Sequence, residues 1–174
     1  MNRPTLLVFP SYLGWMAVVV AESKVKRLTF GHTTAAAAKA ALEPELLAQA
    51  IRGSAKSPLA KRLQAYASGS PDDFQDVQVD LGAFSRFQRR VLILCRHVGY
   101  GSTISYAALA IKAGHPGAAR AVGNCMAANL VPLIIPCHRV VCAGGQIGSY
   151  SAPGGTRTKS RLLRLEAKNW SRIE

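Results

Sequence analysis

The stretch Tyr106-Ala107-Ala108-Leu109-Ala110-Ile111-Lys112-Ala113-Gly114-His115-Pro116-Gly117-Ala118-Ala119-Arg120-Ala121-Val122-Gly123 decides how the second half of this chain folds. Apolar residues recur at helical spacing on both sides of a break made by Gly114 and Pro116. Two helical runs around such a break read as a helix-turn-helix. Ser102 or Thr103 can cap the first helix, which extends to about Ala113. Pro116 suits the first position of the second, which extends to about Ala128. Small residues such as Ala119 and Gly123 let a helix backbone approach a nucleic-acid groove while Arg120 projects beyond it. They equally permit tight packing on another helix, and the pattern leaves both open.

Toward the N-terminus, Phe84, Phe87, Val91, Leu94, Cys95 and Val98 recur at helical spacing, with Arg86, Arg89, Arg90 and Arg96 on the other face. This predicts an amphipathic helix ended by Gly99-Tyr100-Gly101. Further upstream, Leu6 to Phe9, Trp15 to Val20 and Val25 to Phe30 are short β-formers separated by turn residues, which predicts an antiparallel meander. The Ala-rich stretch from Thr33 to about Ile51 is helical by propensity, with Pro44 opening a second helix, and Ser57 to Ser68 is a further one. Gly69-Ser70-Pro71-Asp72-Asp73 marks a connection. The fold class is therefore α+β: a small N-terminal α/β domain over residues 1–80 packed on a helical C-terminal domain over residues 81–174.

Charge divides along the same line. Of the formal +13, residues 1–80 carry only +2 while residues 81–174 carry +11, with 13 basic and 2 acidic side chains. Such a field suits a polyanion, nucleic acid above all. With 174 residues, 49% of them hydrophobic, the chain can bury a substantial core. No run approaches the length of a membrane helix, and the first ten residues lack a cleavage site, so a soluble intracellular protein with no membrane partner is expected.

Cys95, Cys125, Cys137 and Cys142 show neither CxxC pairing nor finger-spaced histidines, so no metal site and no disulfide framework is expected. Cys95 reads as a buried apolar residue. Cys137 differs, because the apolar segment Leu133-Ile134-Ile135 delivers it at its end within Pro136-Cys137-His138-Arg139-Val140. A thiol acts as a nucleophile when ionised, and a neighbouring base and cation favour that form. A bare Cys-His pair is nonetheless compatible with several chemistries, a cysteine hydrolase among them.

Pro136-Cys137-His138-Arg139-Val140 resembles the signature of the O6-alkylguanine-DNA alkyltransferases, the methylated-DNA–protein-cysteine methyltransferases. The likeness continues through Phe87-Gln88-Arg89, Tyr100-Gly101, Ile104-Ser105-Tyr106, Leu109-Ala110, Ala118 to Gly123, Asn129, Pro132, Gly148-Ser149-Tyr150-Ser151 and Leu162 to Glu166. It is dense from about 84 to 167 and looser upstream.

The resemblance implies a ribonuclease H-like N-terminal domain and a single-turnover transfer of an alkyl group from O6-alkylguanine in duplex DNA to Cys137, with O4-alkylthymine a further candidate lesion. His138 becomes the base, acting through a water, and Glu166 its orienting partner. Tyr106 becomes the proton donor to the departing guanine, and Asn129 the buttress of the turn before the acceptor. On the same terms Arg120, Arg139, Ala119 and Gly123 meet DNA, while Val140, Tyr150, Ser151 and Met126 shape the substrate pocket. The family needs no cofactor and acts as a monomer, cytoplasmic and DNA-associated in a prokaryote, nuclear in a eukaryote. An alkyltransferase-like protein that binds lesions without repairing them is the alternative; such proteins lack the acceptor cysteine. A transcription factor is the reading from the helix-turn-helix alone. The loop from Ser151 to Lys159 is about two residues longer than the family's usual one, which bears on the alkyl groups accepted. Lys159 opens the last helix, and Arg157, Arg161 and Arg164 are phosphate contacts or solvated charges. His32 and His115 are assigned to surface or structure.

Overall fold

The computed structural model describes residues 3–170, with side chains through 167. The chain divides after Asp80 into two compact units. In the first, β1 (Thr5–Phe9), β2 (Trp15–Ala21) and β3 (Lys24–His32) form the expected antiparallel meander. A two-residue strand β4 (Ile51–Arg52) joins β1 in parallel, so the sheet order is β3-β2-β1-β4.

The Ala-rich segment is shorter as helix than its propensity suggests. Helix α1 (Ala35–Ala40) starts where Thr34 Oγ1 accepts from Ala37 N, and α2 (Pro44–Gln49) starts at proline. Ile51 leaves the helix because sheet pairing satisfies its backbone: Ile51 N donates to Pro4 O at 2.8 Å. Ala38 and Leu42 close over Ala17 and Val19 of β2. Helix α3 (Pro58–Ala67) carries Arg62, whose guanidinium grips both Asp72 and Asp76 and lies 5.2 Å from the Phe74 ring centroid. That clamp secures the connection after α3.

The second unit opens with α4 (Arg86–Arg96), begun by a reciprocal capping box: Ser85 Oγ accepts from Gln88 N, and Gln88 Oε1 accepts from Ser85 N. Val91, Leu92 and Cys95 are its buried stripe. Ile104–Ser105 forms β5, then α5 (Tyr106–Lys112) and α6 (Ala119–Ala127) make the helix-turn-helix. Two details differ from the sequence expectation. Ser105, not Ser102 or Thr103, caps α5, because residues 104–105 are held in a strand up to the helix start. Pro116 lies in the turn and α6 begins three residues later, because Gly117 adopts φ +87°, a backbone conformation outside the helix.

A 3-10 turn, Cys137–Arg139, follows a nine-residue loop and runs into β6 (Val140–Val141). Strands β5 and β6 pair in parallel, Ile104 with Val140 and Ser105 with Val141, so α5 and α6 form the crossover between them. The long C-terminal helix α7 (Thr156–Trp170) buries Lys159, Leu162 and Glu166, spaced i, i+3 and i+7 on one face. Among the described residues no helix is long and apolar enough to cross a membrane.

Candidate active site

The β5–β6 pairing brings the site together. One residue beyond β5 is Tyr106, at the start of α5; immediately before β6 stand Cys137, His138 and Arg139. A parallel pair two residues long suffices to set these segments side by side. The pocket beside them has a volume of about 260 Å³ and is lined by Tyr106, Gly123, Met126, Ala127, Cys137, Ser149, Tyr150 and Ser151. Cys137 is 2% exposed, and it forms part of the wall of this pocket.

Asn129 ties the loop that presents the thiol. Its Nδ2 donates to Ile135 O at 2.8 Å and to Cys137 Sγ at 3.2 Å, while its Oδ1 accepts from Val131 N at 3.1 Å. The loop between includes Leu133 at φ +71°, a left-handed conformation that a branched apolar residue adopts only when its surroundings impose it. Burial pushes the Cys137 thiol above its ordinary range; the Asn129 hydrogen bond, Tyr150 and the charge of Lys159 oppose that rise. The thiol therefore needs a base.

His138 is fully buried, with Nε2 2.8 Å from Glu166 Oε1. Burial lowers its pKa against the opposing pull of Glu166, and Arg139 and Lys159 reinforce the lowering, so the ring is neutral at pH 7. Burial alone disfavours the Glu166 carboxylate, yet hydrogen bonds and charge from His138 and Arg139 outweigh it and hold the carboxyl at about 2. At neutral pH, with the imidazole uncharged, the guanidinium supplies the positive charge that faces Glu166. Arg139 was expected on DNA, and the structure corrects this: it is 1% exposed, donates from Nε and Nη2 to Glu166, donates from Nη1 to Val98 O at 2.6 Å and lies against the Tyr100 ring. Arg139 stands in an interior segment, with residues 133–141 all buried, and a buried carboxylate at hydrogen-bond distance pairs the guanidinium there. Val140 is corrected too. It is fully buried, does not line the pocket, and its carbonyl accepts from Lys159 Nζ at 2.6 Å.

Lys159 is the residue that sequence reasoning placed only as a helix start. It is fully buried in α7, and its Nζ also donates to Tyr106 Oη at 3.2 Å and reaches Ser149 O at 3.5 Å. The signal was present: Lys159 stands seven residues before Glu166 with Leu162 between, so a helix that turns Glu166 inward turns Lys159 inward as well. Burial raises the Tyr106 phenol pKa, with the nearby thiols adding to it, which keeps the hydroxyl protonated. Gly148 leaves room for that hydroxyl; a Cβ there would sit 3.1 Å from Tyr106 Oη and 3.2 Å from Cys142 Sγ.

The remaining residues fall as the helix-turn-helix dictates. Arg120 is exposed at the second position of α6, Ala119 precedes it half-buried, and Gly123 and Met126 face the pocket from the same helix. Arg157, Arg161 and Arg164 occupy the exposed side of α7. The long loop turns through Gly154 and Gly155, both at positive φ, and α7 starts at Thr156, so Lys159 lies in its first turn. His115 packs edge-on against Phe87, and His32 bonds Thr29, as structural histidines do. Among the described residues no group of three or more His, Cys, Asp or Glu converges as a metal site requires.

Comparison with known proteins places this geometry. Residues 86–168 match the family described as "6-O-methylguanine DNA methyltransferase, DNA binding domain". A methylated-DNA–protein-cysteine methyltransferase from Mycolicibacterium paratuberculosis is 41% identical over 109 residues, 63% of this chain and 64% of that protein. The alignment thus spans a little under two thirds of that relative. One from Mycobacterium leprae is 38% identical over 124 residues, 71% of this chain and 73% of the relative. The crystal structure of Mycobacterium tuberculosis OGT in complex with DNA superposes with a TM-score of 0.78 at 31% identity, covering 94% of this chain and 93% of that one. Likeness this extended, running through both units as well as the cysteine segment, establishes that the chain belongs to the methylated-DNA–protein-cysteine methyltransferase family.

Proposed function

We propose that this protein repairs DNA by moving the alkyl group of O6-alkylguanine onto Cys137, once per molecule. One observation carries the reading: a buried thiol at a pocket wall, hydrogen-bonded by Asn129, precedes a buried histidine engaged by a buried carboxylate. DNA binding follows from the helix-turn-helix, the +11 charge of residues 81–174 and the relative solved with DNA.

Guanine O6 lies within the base stack, so the nucleotide is rotated out into the pocket while Arg120, exposed at the start of α6, takes its place. Glu166 engages His138 Nε2, so Nδ1 is the ring nitrogen that receives the Cys137 proton through a water. The thiolate attacks the alkyl carbon in line. A carbon–sulfur bond forms as the carbon–O6 bond breaks, and the electron pair stays with guanine. Tyr106, whose oxygen accepts from Lys159, gives its hydroxyl proton to the guanine ring, so the base departs neutral. Tyr150, Ser151 and Met126 bound the space for base and alkyl group. A thioether has no route back to a thiol here, so a single copy acts once.

Incubation with duplex containing O6-methylguanine, followed by mass mapping, tests this. The expected product is one methyl group on the Cys137 peptide, at most one equivalent per protein, and none in a Cys137→Ala variant that still binds DNA. Repaired DNA beside unmodified Cys137 refutes the assignment; product beyond one equivalent indicates a hydrolase, and binding without transfer indicates a lesion-flagging protein.

A further inference from the structure

A buried carboxyl beside an imidazole has more than one proton arrangement. With Glu166 ionised, His138 carries its hydrogen on Nε2 and keeps the Nδ1 lone pair. With Glu166 protonated, the carboxyl donates to Nε2, the ring hydrogen moves to Nδ1, and that nitrogen can accept nothing. If the ring is imidazolium, neither nitrogen accepts. The 2.8 Å separation of Nε2 and Oε1 suits all three.

The neighbours choose between them. Arg139 presents Nε at 3.2 Å from Oε1 and 3.0 Å from Oε2, and Nη2 at 2.9 Å from Oε1; Gly101 N lies 3.1 Å from Oε2. Guanidinium and amide are donors only, and a guanidinium does not lose its proton in a protein. Facing these donors and the guanidinium charge, the carboxyl is favoured as an acceptor at both oxygens, in its ionised form. The same positive charge offsets Glu166, so His138 does not face an unbalanced anion that would hold it as imidazolium. Arg139 is itself held by Val98 O at 2.6 Å and by the Tyr100 ring.

We propose that Arg139 is a positioning residue that, through Glu166, selects the Nε2–H form of His138 from which the Cys137 proton can be accepted. The proposal rests on the alkyl-transfer reading above. Among the described residues, the other titratable and charged groups around this cluster include Cys137 on its own segment with Tyr150 beside it, Lys159 from α7, Cys95 from α4 and Tyr100 from the loop after α4. Lys159 adds to the bias against imidazolium, and burial raises both the Cys95 and the Cys137 thiol, which favours their neutral form.

Two-bond proton–nitrogen correlation spectra of protein labelled at its four histidines report each ring's tautomer directly, with His138 assigned by its loss in His138→Gln. The wild type is expected to show neutral Nε2–H at His138 at pH 7. R139M is expected to show Nδ1–H or imidazolium and a transfer rate lower by about 10²- to 10⁴-fold, the span of general-base and wrong-tautomer losses. Its duplex affinity is expected to be unchanged. R139K, which keeps the charge, is expected to keep the wild-type tautomer and most of the rate. A wild-type His138 that is Nδ1–H or imidazolium at pH 7 overturns the proposal even if R139M does not fold. So does a folded R139M with the wild-type tautomer and pH–rate profile, or a changed tautomer in R139K. The spectrum needs no DNA, so failure of the alkyl-transfer reading shows separately, as an unmodified Cys137 with the tautomer intact.

Discussion

Replacing Lys159 by methionine keeps the length of the side chain and removes its donors. In the wild type Nζ donates to Val140 O at 2.6 Å and to Tyr106 Oη at 3.2 Å, in a fully buried position. A hydrogen bond to a charged group contributes about 1.5–3 kcal/mol. Losing the one to Tyr106 leaves its hydroxyl free to turn from the guanine ring, and at 1.36 kcal/mol per decade the transfer rate falls about 10- to 150-fold. Burial lowers the Lys159 pKa, so the unfolded chain binds its proton more readily than the folded one. Wild-type stability therefore rises with pH as the solution approaches the ordinary lysine range, and K159M removes that slope. The decisive assay is a double-mutant cycle of single-turnover transfer with Lys159→Met and Tyr106→Phe. If Lys159 acts through the phenol, the double variant is no slower than Tyr106→Phe alone. Losses that multiply, or a folded K159M with wild-type transfer, would refute the reasoning.

Three further outcomes follow from the site. Glu166, held at about 2 against an ordinary 4.5, contributes about 3 kcal/mol of stability that is present above pH 4.5 and lost as pH falls toward 2; urea melts should show this slope, and E166Q should lack it. Asn129→Ala removes the donor to Cys137 Sγ and frees the loop at Leu133, so stability falls by about 2–3 kcal/mol and thiol alkylation needs a higher pH; an unchanged pH–rate curve contradicts this. Gly148→Ala pushes a methyl group against Tyr106 and Cys142, so transfer of a benzyl group should slow more than transfer of a methyl group, and equal slowing rejects a steric role.

Much of this protein could be read along the chain because its signals are local. The helix-turn-helix follows from periodicity broken by Gly114 and Pro116, the meander from short β-branched runs, and the second unit's charge from counting. The Cys137-His138 pair and Glu166 were legible through ordered resemblance over residues 84–167. Their direction in space was not. Arg139 follows the Cys137-His138 pair in a strongly basic half, which suggests a DNA contact, yet a carboxylate 27 residues away holds it in the interior. Lys159 resembled one more basic residue of a basic helix until α7 was seen to bury its Lys159–Leu162–Glu166 face.

The sequence by itself placed most of the helices, the three-stranded meander and the basic half, and singled out the thiol proposed as acceptor, since these depend on residues near one another in the chain. Only the tertiary structure decided which charges are solvated and which are machinery. A two-residue parallel pairing of β5 with β6 puts Tyr106 beside Cys137, and one face of α7 supplies Lys159 to the first and Glu166 to the base of the second. The physical reason is that burying a charge is costly unless a partner meets it, and whether a partner meets it depends on distances in space rather than along the chain.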